Sequence, residues 1–263
     1  MLDELSQDVS VVIAGSLAQL KSVIQNNFYI FSAIIFPFLN MALLVGFFRY
    51  GGRSDAILYA IVGSGIMGIW LATTFVTGQI VMFERSSGTL ELLLAMPAAL
   101  QLWILGRALV TTLLALVSLA VTLAGAWIVF GIVFTIRQPG LFLAMLVAIT
   151  VAFTLLGTII GALFVLTRRA GPVANAILYP AYILSGVVFP LTMLPAWLRP
   201  LALVIPLHWA SEGIRAAMLG DIRRAEQSLL ALAVLAGFFA IGSVWCFRFI
   251  ERRVRHLATL AFD

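Results

Sequence analysis

The chain of 263 residues is poor in almost everything a soluble enzyme uses. Only 10% of its residues are charged, against about 25% in an average soluble domain. Its single cysteine, Cys246, lies inside the last apolar run. That excludes an intrachain disulfide and a cysteine-rich metal site, and the thiol reads as a small buried hydrophobe. Its single lysine, Lys21, follows Leu20, so the Gly-Lys of a phosphate-cradling Walker loop is absent. The two histidines, His208 and His256, stand far apart and form no HExxH, and no Gly-x-Ser-x-Gly elbow occurs. Asp3, Glu4 and Asp8 precede the first basic residue, so no cleavable leader is expected.

What is abundant is hydrocarbon. Apolar residues make up 63% of the chain, and the mean hydropathy is +1.12. Such a chain can expose its side chains only to lipid. The net charge is +5 and the pI is near 10.0, but the basic residues flank apolar runs. Arg168, Arg169, Arg248, Arg252, Arg253 and Arg255 fall at such ends, and no basic stripe interleaved with aromatics occurs. Nucleic acid is therefore not an expected partner.

The pattern predicts an all-α integral membrane protein, a single transmembrane domain over 1–263. Leu5, Val9, Ile13, Leu17, Leu20 and Ile24 recur at helical steps, with Asp8, Gln19, Ser22 and Asn26 on the other side. Residues 5–26 thus read as an amphipathic helix lying in the membrane interface. Six apolar stretches follow, near 28–48, 56–82, 103–134, 141–166, 173–190 and 227–249, each able to cross a core that needs about 20 helical residues. Pro37 and Pro180 fall inside spans and are expected to kink them. Gly157 and Gly161, and the crowd Gly63, Ser64, Gly65 and Gly68, predict close helix packing.

Six spans put both termini on one side. With that side cytoplasmic, nine basic residues lie inside and seven outside; four of the seven fall in 191–226. Both termini are therefore expected in the cytoplasm, in a multi-pass protein of the cell (cytoplasmic) membrane. The loop 191–226 is unusual, being apolar yet punctuated by Pro195, Pro200 and Pro206. With Trp197 and Trp209 as interface rings, it reads as a short extracytoplasmic re-entrant helical hairpin before the last span.

Two kinds of chemistry remain open on these residues. His208 and Glu212 are four apart and can share a helix face, with Asp221 not far on, so a membrane-embedded hydrolase or lipid transferase is one reading. Against it stands an ordinary polar pair in an interfacial helix. No metal site is expected from one His and one Glu. The middles of spans one, two, four and five carry no charge, which argues against ion-driven carriers and for a machine powered from outside the bilayer.

Between spans two and three runs Glu84-Arg85-Ser86-Ser87-Gly88-Thr89-Leu90-Glu91, then Pro97 and Trp103-Ile104-Leu105-Gly106-Arg107. Physically, 84–97 reads as a short amphipathic surface helix whose Leu90, Leu93 and Leu94 face the bundle while Arg85 and Glu91 face water or a partner. The segment resembles that of the permease subunits of type-2 ABC exporters, and the resemblance extends over the whole chain. Gly186-Val187-Val188-Phe189-Pro190, Leu194-Pro195-Ala196-Trp197, and Pro206-Leu207-His208-Trp209 with Glu212 and Arg215 are similar to that family's outer segment. The general look is closest to the drug- and lipid-type and the nodulation-type oligosaccharide permeases.

The resemblance implies an exporter of an amphipathic substrate, powered by separate ABC ATPase subunits that bind the ATP and Mg, with no cofactor in this chain. It implies a second permease protomer, of the same or a related chain. It makes 84–97 the coupling helix, with Glu84, Arg85, Gly88, Thr89, Leu90, Glu91 and Pro97 as its residues. It lines the pathway with the second and fifth spans; the polar candidates within the membrane regions are Asn40, Thr73, Thr74, Thr77, Gln79, Asn175 and Ser185, of which Asn40 falls in the first span. Most of these also suit hydrogen bonds that pack helices.

Overall fold

The structure is a computed structural model that describes residues 2–24, 27–53, 56–88, 100–167 and 170–259. Its main elements are helices. α1 spans Leu2–Ile24. α2 (Asn27–Ile30) passes through a π turn (Phe31–Ile35) into α3 (Phe36–Tyr50). α4 (Ile57–Leu71) passes through a second π turn (Ala72–Val76) into α5 (Thr77–Ser86). Then come α6 (Leu100–Ala115), α7 (Val117–Phe130), α8 (Pro139–Leu166), α9 (Ala170–Leu184), the short α10 (Arg199–Ala202), α11 (Pro206–Leu219) and α12 (Ile222–Thr259).

Among the described residues, five stretches are long and apolar enough to cross a membrane: Phe31–Tyr50, Ile57–Val76, Leu100–Phe130, Pro139–Val165 and Ile222–Ile250. They correspond to five of the six expected spans. The sixth expectation, 173–190, falls on α9, which has 15 residues and so reaches about 22 Å, short of a hydrocarbon core of about 30 Å. It ends early because Gly186 takes a positive φ of 67° and turns the chain towards Pro190. Helix continues across Pro180. The first π turn lies directly before Pro37, whose ring has no N–H to give and crowds the turn behind it.

Packing ranks the helices. The most apolar window of Ile57–Val76 is 83% buried, against 17% for Ile222–Ile250. The second span is thus the axis of the bundle and the last is peripheral. The glycine steps allow close contact as expected. A Cβ on Gly65 would lie 2.8 Å from Leu119 Cα, and one on Gly161 2.7 Å from Ile104 Cγ2.

α1 explains its own amphipathicity. Val9, Ile13, Leu17 and Leu20 form one stripe, and all four are exposed. The opposite face, with Gly15 and Gln19 buried, packs on α6. A helix that shows its apolar stripe to the outside and its small and polar face to protein suits a lipid interface. Gly106 sets the contact, because a Cβ there would meet the Val12 carbonyl oxygen at 2.3 Å. Gly106→Ala is expected to push α1 away and cost about 1–3 kcal/mol. A thermal unfolding series of the purified chain, with Gly46→Ala as the open-space control, checks this; equal losses would remove the argument.

The expected hairpin 191–226 resolves into a 3-10 turn (Leu191–Met193), α10, α11 and the start of α12. α11 is buried along most of its length and packs against α4, α8 and α12. By contrast Met193, Trp197, Leu201, Leu203 and Val204 form an exposed apolar apron.

Candidate functional site

Two charged clusters occupy opposite ends of the axial helix. Tyr59 belongs to one and Glu84 to the other, about 25 residues and so about 38 Å apart along α4, the π turn and α5. That exceeds the thickness of a hydrocarbon core, so the two clusters stand at opposite ends of a helix long enough to cross one.

The first cluster is built on Arg107, about two turns into α6 and only 3% exposed. Its Nη1 donates to Glu84 Oε1 in an ion pair whose side chains are 4% and 12% exposed. Nε donates to Gln19 Oε1 at 3.1 Å and Nη2 reaches Ser22 Oγ at 3.4 Å, both on α1. The guanidinium also lies 5.7 Å from the centre of the Trp103 ring. A charge in an apolar span must be paired, and the end of α5 supplies its partner. Arg85, next in sequence, donates to the carbonyls of Thr167 (2.7 Å), Val165 (2.6 Å) and Phe164 (3.4 Å). These are carbonyls of the last turn of α8 and of Thr167 just past its end, where carbonyls lack helical donors and a cation is favoured.

This corrects the expectation that Arg85 faces water or a partner. The structure turns both Glu84 and Arg85 inward, so that the end of α5 is fastened to α1, α6 and α8. Gly88 follows at a positive φ of 70°, with its N–H on the Arg85 carbonyl at 3.2 Å, a turn that ends α5. Thr89, Leu90, Glu91 and Pro97 lie outside the described residues. Arg107 and Gln19 were not singled out from sequence as a pair. The signal was available: an arginine inside a span, with a carboxylate at the end of the span before it.

The polar candidates divide. Thr73, Thr74 and Thr77 are fully buried within the chain, Thr73 and Thr77 beside Gly157 of α8. Thr73 Oγ1 donates to the Ile69 carbonyl and Asn40 Nδ2 to that of Phe36. Ser185 Oγ bonds to the Tyr182 carbonyl and accepts from the Val187 N–H. The hydroxyls of Thr74 and Thr77 have no partner among the described residues. Asn175 is exposed on α9, on a stripe with Gly171, Pro172, Ala176, Tyr179 and Pro180. The side chain of Gln79 lies outside those described.

The second cluster surrounds a cavity of about 360 Å³ walled by Tyr59, His208, Trp209, Glu212, Arg215 and Arg224, among others. Arg215 Nη2 donates to Glu212 Oε2 at 2.7 Å, and its guanidinium stacks 3.9 Å above the Tyr59 ring. Arg224 approaches the other oxygen of Glu212 at 4.0 Å and Asp221 at 3.4 Å. His208 Nδ1 lies 2.9 Å from the Ser185 carbonyl, so that nitrogen carries the proton. Its ring thus ties α11 to the end of α9, and no hydrogen bond joins it to Glu212 among the described residues. The two residues of the hydrolase reading are each engaged elsewhere. Trp209 Nε1 donates to the Leu203 carbonyl at 2.8 Å. Trp197 is 75% exposed, and Pro195 is exposed beside it.

Burial pushes the His208 pKa down; the Ser185 carbonyl and Glu212 oppose this, and Arg215 adds to it. A base with a lowered folded pKa takes up its proton more readily when unfolded. Stability is therefore full above the unfolded value near 6.5 and falls as pH drops below it. His208→Asn, which keeps a donor for the Ser185 carbonyl, should flatten the melting temperature between pH 7 and 5. An unchanged acid slope would assign the loss to other groups.

A family model described as ABC-2 type transporter matches residues 12–219. No curated protein matches the chain.

Proposed function

The chain belongs to the ABC-2 type transporter family, and from that premise we propose that it is the exporting half-channel of an ATP-driven pump for an amphipathic substrate. Membership makes it a multi-pass permease subunit and implies an ABC ATPase subunit as its partner. The proposal adds direction, substrate class and arrangement. Two protomers meet through α9, and two ATPase subunits that bind the ATP and Mg dock beneath the 84–97 segment. Both termini and that segment face the cytoplasm; the cavity beside α11 and the apron around Trp197 face outside. α9 and the turn after it make the sixth crossing. The exposed stripe on α9, with its small residues, two prolines and Asn175, supports a contact with a second protomer.

The observation that carries this reading is the inward fastening of Glu84 and Arg85. A push that reaches the end of α5 is carried by these bonds into its neighbours. It moves α1, α6 and α8 together, which is what ATP-driven switching between two bundle arrangements requires.

The test has two arms. A single cysteine at Ser87 or at Asp221, without Cys246, is offered an impermeant thiol reagent on intact cells. Asp221→Cys should label and Ser87→Cys should not. Proteoliposomes with the ATPase should then move a fluorescent amphiphile only when ATP is present. Labelling of Ser87→Cys from outside, or equal movement without ATP, would overturn the reading.

A further inference from the structure

The cavity beside α11 contains a feature that neither packing nor the coupling reading uses. Arg215 is 4% exposed, yet its Nη1 has no hydrogen-bond partner among the described residues. Its other arm is held by Glu212 and its face by Tyr59, so the fork is fixed in position. An unsatisfied cationic N–H in a nearly dry site is costly unless something completes it. Arg224, 67% exposed at the side chain, adds a second guanidinium on the same wall. Of the charged side chains lining the cavity, two are arginines and one is Glu212. Asp221 engages Arg224 from outside this cavity.

We infer that this cavity is a subsite for a phosphate-type oxyanion carried by an amphiphile, with Arg215 Nη1 as its buried donor. The oxyanion would accept from Arg215 at the bottom and from Arg224 at the mouth, where Gln227 and Ser228 add polar groups. Planar guanidinium forks are suited to phosphate oxygens. The amphiphile follows from the other walls. Trp209, Leu191 and Pro190 line the cavity, and the exposed apron of Met193, Trp197, Leu201 and Val204 belongs to the same stretch of chain. A headgroup in the cavity leaves its tail over an apolar surface. The inference narrows the substrate class of the proposed exporter and rests on that reading for its meaning, but binding itself needs neither ATPase nor ATP.

The test is equilibrium binding of dodecyl phosphate to the purified full-length chain in nanodiscs, with inorganic phosphate and the neutral dodecanol as separate probes. Dodecyl phosphate should bind at least about tenfold more tightly than either. Arg215→Gln should weaken it about tenfold or more, and the exposed Arg224→Gln, which leaves the core untouched, about threefold. Glu212→Gln should tighten it, because a competing carboxylate is removed. Inorganic phosphate binding as tightly as dodecyl phosphate would make this a free-anion site and overturn the inference. So would equal binding of dodecanol, or full affinity in the Arg224→Gln and Arg215→Gln variants. Loss of ATP-driven transport with these affinities intact would sink the exporter reading alone.

Discussion

Glu84→Ala is expected to cost the folded chain about 3 kcal/mol and to do so through Arg107, which the substitution does not touch. With Glu84 gone, a guanidinium only 3% exposed keeps its charge in an apolar span. Removing one member of a buried pair costs about 3–5 kcal/mol, because the survivor stays desolvated. The lower end applies here, since Gln19 and Ser22 still accept from Arg107 and the Trp103 ring still faces it. Glu84→Gln keeps an acceptor for the same N–H and should lose less. Arg107→Met combined with Glu84→Gln removes both charges and should recover most of the loss. The measurement is unfolding of the purified chain in one detergent, followed by tryptophan fluorescence, for the two single variants and the double variant. Wild-type stability in Glu84→Ala would mean that the pair is open to water.

This expectation departs from what the segment's sequence suggests on its own. Charged residues before a proline, between two spans, read as a solvent-facing strip, and alternation with leucines supports that reading. What local pattern cannot display is a demand made elsewhere. Arg107 needs an anion, and the last carbonyls of α8 need donors. Both are met by residues 23 and about 80 positions away in sequence. The amphipathic helix α1 was legible because its stripe of Val9, Ile13, Leu17 and Leu20 is periodic. Its protein-facing side was not, because Gly15, Ser16 and Gln19 make no pattern of their own and acquire meaning only against Gly106 and Arg107.

Span positions were legible for the same reason that hydropathy works: backbone groups in lipid must be satisfied within the helix. The exception is instructive. The stretch 173–190 is uncharged and largely apolar, but Gly186 turns the chain, and helix α9 stops at Leu184. Apolar content measures where a chain can be in lipid, not where its backbone remains helical. At the other surface, His208, Glu212 and Arg215 were legible as a group on one helix. Their roles were not, since the Ser185 carbonyl and the Tyr59 ring that determine them come from α9 and α4. The idle Nη1 of Arg215 is a property of three dimensions only.

The second large effect concerns Arg85. It is expected that Arg85→Ala lets ATP be hydrolysed while the bundle no longer follows. The side chain donates to three carbonyls at the end of α8. Each such charge-assisted bond is worth about 1.5–3 kcal/mol where water is limited. Their loss frees the last turn of α8 from α5 and breaks one of the links by which motion of 84–97 reaches the bundle. A coupling loss of about 1.4 kcal/mol already changes the ratio of two arrangements tenfold. Arg85→Lys places one ammonium where a fork reached three oxygens, so it should fall between wild type and alanine. Glu91→Ala makes the contrast. On the docking role proposed for the segment, it should weaken capture of the ATPase, whereas Arg85→Ala should leave capture intact. The measurement is amphiphile transported per ATP hydrolysed in proteoliposomes, with co-purification of the ATPase measured alongside. Arg85→Ala should lower that ratio about tenfold at unchanged co-purification. A wild-type ratio would show that α8 receives its motion by another route, and that Arg85 does no more than cap a helix.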